Sequence, residues 1–145
     1  MEGDYSWSPL YLWKIYNLKN LRLYNFIPAF IFFLFTFFLF TIPGKEIPQF
    51  KWDDLIKVDK LVHFGLFFIL LVLLSFPFNK TTLDNKTRLK WFLVFTISGI
   101  VYGIAIEYIQ KYFILDRTFS VFDIMADAIG CIVGYYWSKR FFCEE

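Results

Sequence analysis

The sequence predicts an all-α membrane protein: a four-transmembrane-helix bundle over residues 26–142, preceded by an N-terminal interfacial amphipathic helix over residues 1–25. Three observations lead there. Of the 145 residues, 58% are hydrophobic and 24% aromatic, with 21 phenylalanines, more than a soluble domain of this size carries. Four apolar runs, Phe26–Ile42, Leu61–Phe78, Trp91–Leu115 and Phe119–Ser138, each approach the ~20 residues that a bilayer-spanning helix needs. The connections are short. The longest, "PGKEIPQFKWDDLIKVDK", has 18 residues and room for one brief helix, so no separate soluble domain fits.

The N-terminal segment differs from the rest. Ser8 suits an N-cap and Pro9 a first helical position. The Trp, Tyr and Leu residues that follow are mixed with Lys14, Lys19 and Arg22, the composition of a helix lying in the interface. Glu2 and Asp4 open the chain and no small-residue cleavage site follows Ile42, which speaks against a cleaved signal peptide.

Lysine and arginine set the expected orientation. The N-terminal segment, the middle loop (Lys80, Lys86, Arg88, Lys90) and the tail (Lys139, Arg140) hold nine, against five (Lys45, Lys51, Lys57, Lys60, Arg117) in the other two loops, or six with Lys111. Both termini should therefore face the cytoplasm, and the lysine-, asparagine- and phenylalanine-rich composition suggests a bacterial inner membrane. A net charge of +2 without a basic run excludes nucleic acid as a partner. Cys131 and Cys143 would stand about 18 Å apart on one helix, beyond disulfide reach. With His63 the only histidine, no metal-ligand spacing is present, so neither a metal nor a cofactor is expected.

The polar residues are not scattered. "DKLVHF" opens the second run with Asp59, Lys60 and His63 in its first turns. The third run carries Glu107 and Gln110 near its end, and the fourth begins with Ser120, Asp123 and Asp127 after Arg117 in the joining loop. With both termini inside, these side chains converge on the outward face. Glu107 and Asp127 lie within apolar runs, where an unpaired acid costs about 2.5–3.5 kcal/mol at the helix centre, and Lys60, His63 and Arg117 are the groups available to compensate it. Asp127 must then be either ionised and paired with Lys60 or Arg117, or neutral and donating a hydrogen bond.

Helical spacing sharpens the pattern. Gly99, Gly103, Glu107 and Gln110 share one face of the third helix; Asp123, Asp127, Gly130 and Gly134 share one face of the fourth. Both glycine pairs are G-x-x-x-G, so the two faces are expected to cross closely. Each polar residue also has a structural reading. "SVFD" (120–123) spells a capping box, Asp59 suits an N-cap, Lys60 a snorkelling position and Arg117 a pair with Asp116.

Taken in order, "DKLVHF" (59–64), "YGIAIEYIQ" (102–110) and "RTFSVFDIMADAIG" (117–130) resemble the signature stretches of the VanZ-like family, small bacterial four-helix membrane proteins. The resemblance runs from about Ile42 to Gly134 and matches the family's recurrent positions at Asp59, Lys60, His63, Glu107, Gln110, Arg117, Ser120, Asp123, Gly130 and Gly134. Asp127 departs from the pattern, which usually has Asn there. The resemblance implies a cell-envelope role and an effect on teicoplanin-class glycopeptides, but it supplies no reaction.

Three functions compete. The first is a binding site for a membrane lipid or lipid-linked cell-wall precursor, with Lys60 and Arg117 holding a phosphate or carboxylate. The second is an intramembrane hydrolase or transferase with Glu107 or Asp123 as general base, His63 as acid partner and Arg117 stabilising negative charge. No activated Ser or Cys nucleophile accompanies it. The third, ion movement, is disfavoured because the inner halves of the third and fourth helices carry no acids to relay a proton.

Overall fold

The computed structural model of the protein describes residues 21–43 and 52–143. All regular structure among them is helical. α1 (Ile27–Phe40) is entered through a 3-10 turn at Leu23–Phe26, with Pro28 in its first turn, where a missing N–H costs nothing. α2 (Trp52–Ser75) runs into a second 3-10 turn at Phe76–Lys80. α3 spans Asn85–Phe113 and α4 spans Val121–Phe142. Nearly all of the expected N-terminal interfacial helix lies outside the described residues.

Stretches of the first three helices, Leu23–Phe40, Val58–Asn79 and Asn85–Phe113, are long and apolar enough to cross a membrane. α4 has 22 residues, the length of a span at about 1.5 Å per residue, but Asp123, Asp127, Lys139 and Arg140 dilute its apolar stretch. The protein is thus a multi-pass membrane protein, with four α-helices among the described residues.

Helix boundaries differ from the apolar runs for local reasons. α3 begins six residues before Trp91 because Asp84 caps it: Thr87 N–H donates to Asp84 Oδ2 at 3.0 Å and the Thr87 hydroxyl to Oδ1 at 2.7 Å. α2 begins at Trp52, so the brief loop helix is continuous with the span and Asp59 sits two turns inside rather than at an N-cap. Its carboxylate is therefore not needed to terminate a helix.

Contacts along the helices fix the topology. Phe40 packs on His63 with ring centroids 4.5 Å apart and Phe26 on Phe78 at 6.2 Å, so α1 and α2 are antiparallel. α3 returns against α4, with Gly99 beside Cys131 and Gly103 beside Asp127. α4 runs parallel to α2: Gly130 lies on Phe64, Gly134 on Phe68 and Leu71, and Phe142 on Phe76. The two faces therefore meet in part: Gly103 lies against Asp127, as the spacing led us to expect, but the two glycine pairs do not stack on each other. Gly130 and Gly134 admit the α2 backbone, while Gly99 and Gly103 make room for the Cys131 and Asp127 side chains. Asp127 and Gly130 lie three residues apart, only about 60° around the axis, so this one face of α4 sits in the groove between its two neighbours, and Asp127 touches both of them.

The bundle is inside-out relative to a soluble one. Phe30, Phe38, Leu61, Ile97, Val101, Phe122, Ile129 and Tyr136 face outward, while Thr36, His63, Ser75, Arg88, Thr96, Glu107, Asp127 and Ser138 are buried. An aromatic core of Phe78, Leu83, Phe92 and Phe142 fills the end opposite the acids. There Arg88 donates to the carbonyls of Phe142 and Thr81, each at 2.6 Å, tying the C-terminus of α4 to the turn before α3. The sequence reading counted Arg88 only as a loop charge.

Candidate functional site

At the other end, the ends of three helices, α2, α3 and α4, deliver the acids. α2 contributes Asp59, Lys60 and His63; His63 lies four residues after Asp59 and three after Lys60, and so neighbours both on the helix surface. His63 is buried under the Phe40 ring, and its Nδ1 lies 2.9 Å from Asp127 Oδ1, also fully buried. An ionised carboxylate can only accept, so with Asp127 ionised the shared proton sits on Nδ1. Among the described residues, no hydrogen bond reaches Nε2 of this ring. Of the three groups available to compensate it, Asp127 thus meets His63, and not Lys60 or Arg117.

Glu107 arrives from α3, fully buried. Its Oε2 accepts the Ser120 backbone N–H at 2.8 Å, while its Oε1 has no hydrogen-bond partner among the described residues. This contact changes the meaning of the capping box at the start of α4. Ser120 Oγ accepts from Asp123 N–H at 3.3 Å, the first half of the motif. The second half, in which the acid three residues on reaches back to the cap N–H, is performed by Glu107 instead. Asp123 is left with its carboxylate turned to Lys60, whose Nζ stands 3.7 Å from Oδ1.

Arg117 closes the rim. Nη1 lies 3.9 Å from Asp59 Oδ1, and Nε donates at 3.5 Å to the Ile42 carbonyl just past α1. The turn that places it passes through Asp116 with φ 59°, a left-handed conformation that Asp tolerates better than most residues. Lys60 also stands 5.7 Å from the centroid of the Phe122 ring, so the cationic rim abuts outward apolar surface.

The structure brings Asp59, Lys60, His63, Glu107, Arg117, Asp123 and Asp127 into one cluster. The Glu107 carboxyl is near enough to feel the charges of Asp123, His63 and Asp127, and Asp59 is near enough to act on His63 and Asp127. Gln110 is assigned elsewhere: its Nε2 donates at 3.0 Å to the Phe40 carbonyl, satisfying an orphan acceptor at the end of α1. Sequence reasoning missed these carbonyl partners, since a main-chain acceptor leaves no mark in residue type. Cys131 packs in the core against Gly99, and Cys143 is free and half-buried.

Comparison with known proteins follows the same stretch of chain. An uncharacterized protein of Schizosaccharomyces pombe is 34% identical over 73 residues, which cover 50% of this chain and 41% of that protein. The matched region therefore spans less than half of that relative's length. No solved structure matches significantly. The profile of the VanZ/LLP1 family matches residues 5–142, nearly the whole chain with all of the clustered polar residues inside it, and the chain belongs to that family.

Proposed function

We propose that the protein holds the anionic head group of a membrane lipid or a lipid-linked cell-wall precursor at the acid-bearing end of its bundle. The observation that carries this reading is the pair of cations, Lys60 and Arg117, at the rim of the buried acids. Lys60–Asp123 at 3.7 Å and Arg117–Asp59 at 3.9 Å are both longer than hydrogen bonds. An incoming phosphate or carboxylate offers each base a shorter, charge-assisted bond. Leu61, Val121 and Phe122 are exposed beside these bases, a surface suited to the first carbons of an acyl or polyprenyl chain. In this reading α4 is the fourth span, both termini are cytoplasmic and the cluster faces outward, as the charge asymmetry supports. In a bacterial host, occupying a lipid-linked precursor would change how much of it teicoplanin reaches.

Photo-crosslinking tests this. A benzoylphenylalanine placed at position 122 in native membranes should capture a discrete anionic lipid, and the Lys60→Met/Arg117→Met double variant should lose most of that adduct. Capture of bulk phospholipid alone, equally in both proteins, would sink the proposal. The His63–Asp127 pair favours a second reading, hydrolysis or transfer at the same head group. Asp127 steadies the ring through Nδ1 and leaves Nε2 to move a proton. A captured lipid shortened at its head group by the unaltered protein, but not by His63→Gln, would favour that reading over simple binding.

A further inference from the structure

We propose that the cluster is a divalent-cation site, with Asp59, His63 and Asp123 as its protein ligands and Asp127 orienting His63. One potential ligand atom from each of these three residues lies within 4.8 Å of the other two, the separation from which a single ion can be reached by all three. They come from α2 and α4, the pair whose backbones the Gly130 notch holds together, so the three positions are set by a rigid contact.

Two buried oxygens also point to a cation. Among the described residues, Asp123 Oδ1, which faces Lys60 Nζ only at 3.7 Å, and Glu107 Oε1 are acceptors without a hydrogen-bond donor, in residues 6% and 0% exposed. Buried carboxylate oxygens are ordinarily satisfied, and an unsatisfied one in a cluster asks for a ligand.

The His63–Asp127 contact then has a specific role. A ligating histidine commonly donates its other ring N–H to a carboxylate, which fixes the tautomer and makes the free nitrogen a better donor. Here Asp127 holds Nδ1, and Nε2 is the nitrogen left for the metal. One imidazole with two carboxylates suits Mn²⁺ or Zn²⁺ better than Ca²⁺, which prefers oxygen alone. With three protein ligands the ion keeps open positions, and a phosphate oxygen is their natural occupant. Only that last step rests on the head-group reading.

The test is metal binding by tag-free protein in detergent, stripped with chelator and titrated with Mn²⁺ while the free-ion paramagnetic resonance signal is followed. Zn²⁺ is added as a competitor. The expected result is one saturable site per chain, weakened at least tenfold in Asp59→Asn and in Asp123→Asn, and about 10–100-fold in Asp127→Asn. Lys60→Met removes the cation competing for Asp123 and should bind at least as tightly. Each variant is first shown to elute and melt as the unaltered protein does, which separates lost ligation from lost folding. Absence of a saturable site for either ion, or affinity unchanged in Asp59→Asn and Asp123→Asn, overturns the inference. Lipid capture at position 122 is read independently, so either proposal can fail while the other stands.

Discussion

Glu107 and Asp127, the two acids deepest in the cluster, are both fully buried, and each is held by one contact from another part of the chain. Asp127 meets His63, and Glu107 meets a backbone N–H across a 13-residue gap that no motif encodes. These contacts give a stability prediction for Asp127. An Asn there keeps an oxygen to accept from His63 Nδ1–H, which also fits the Asn that the family pattern usually carries. Leu removes the acceptor, leaving a buried donor unsatisfied at about 1–3 kcal/mol. It also presses a branched side chain against Gly103, with an overpacking cost of about 1–3 kcal/mol. Thermal unfolding in detergent should therefore show Asp127→Asn close to the unaltered protein and Asp127→Leu clearly below it. Equal losses would mean that the carboxylate's charge, and not its hydrogen bond, stabilises this corner. Asp127→Asn is in addition the variant expected to separate stability from metal affinity.

At the element scale, all four helices were legible as apolar runs, while their ends and neighbours were not. Asp84 and Ser120 set two starts through side-chain caps, and α2 extends through the polar "WDDLIKVDK" that hydrophobicity alone excludes from a span. The glycine spacing marked faces correctly placed for close approach, but a single sequence does not say which helix approaches. The structure gives α4 two different interfaces, and they make different predictions. A methyl group at Gly130 would meet the Phe64 carbonyl oxygen, part of the α2 backbone, which cannot move without shifting the helix. At Gly99 it would meet Cys131 Sγ at 2.7 Å, the end of a side chain that can rotate away. Gly130→Ala should lower the melting temperature in detergent markedly and also disturb the alignment of Asp59 and His63 with Asp123. Gly99→Ala should be mild. The reverse order would show that the α3–α4 interface, and not the α2–α4 interface, is the rigid one.

For the molecule as a whole, the two ends of the bundle have different physical characters, and this bears on how it sits in the membrane. The acid-bearing end gathers ionisable groups into buried and rim contacts, whereas the opposite end is closed by Arg88 and aromatic packing, with Lys86, Lys90, Lys139 and Arg140 exposed around it. Exposed basic residues stay preferentially on the cytoplasmic side, so the Arg88 end should be inside and the acid cluster outside. α3 joins the two ends over 29 residues, about 44 Å at 1.5 Å per residue, more than a hydrocarbon core of about 30 Å. Thr82 and Asp116, both exposed, lie just beyond its opposite ends. Single cysteines at these positions, in a background with Cys131 and Cys143 replaced by Ala, can be probed in intact cells with a membrane-impermeant maleimide. Position 116 should label and position 82 should label only after permeabilisation. Labelling of 82 alone would invert the protein and place the head-group and cation sites in the cytoplasm, where soluble phosphates and a different metal supply become the relevant ligands. Labelling of both in intact cells would mean that α3 does not cross, and the bundle would then have to be read as lying against the bilayer rather than through it.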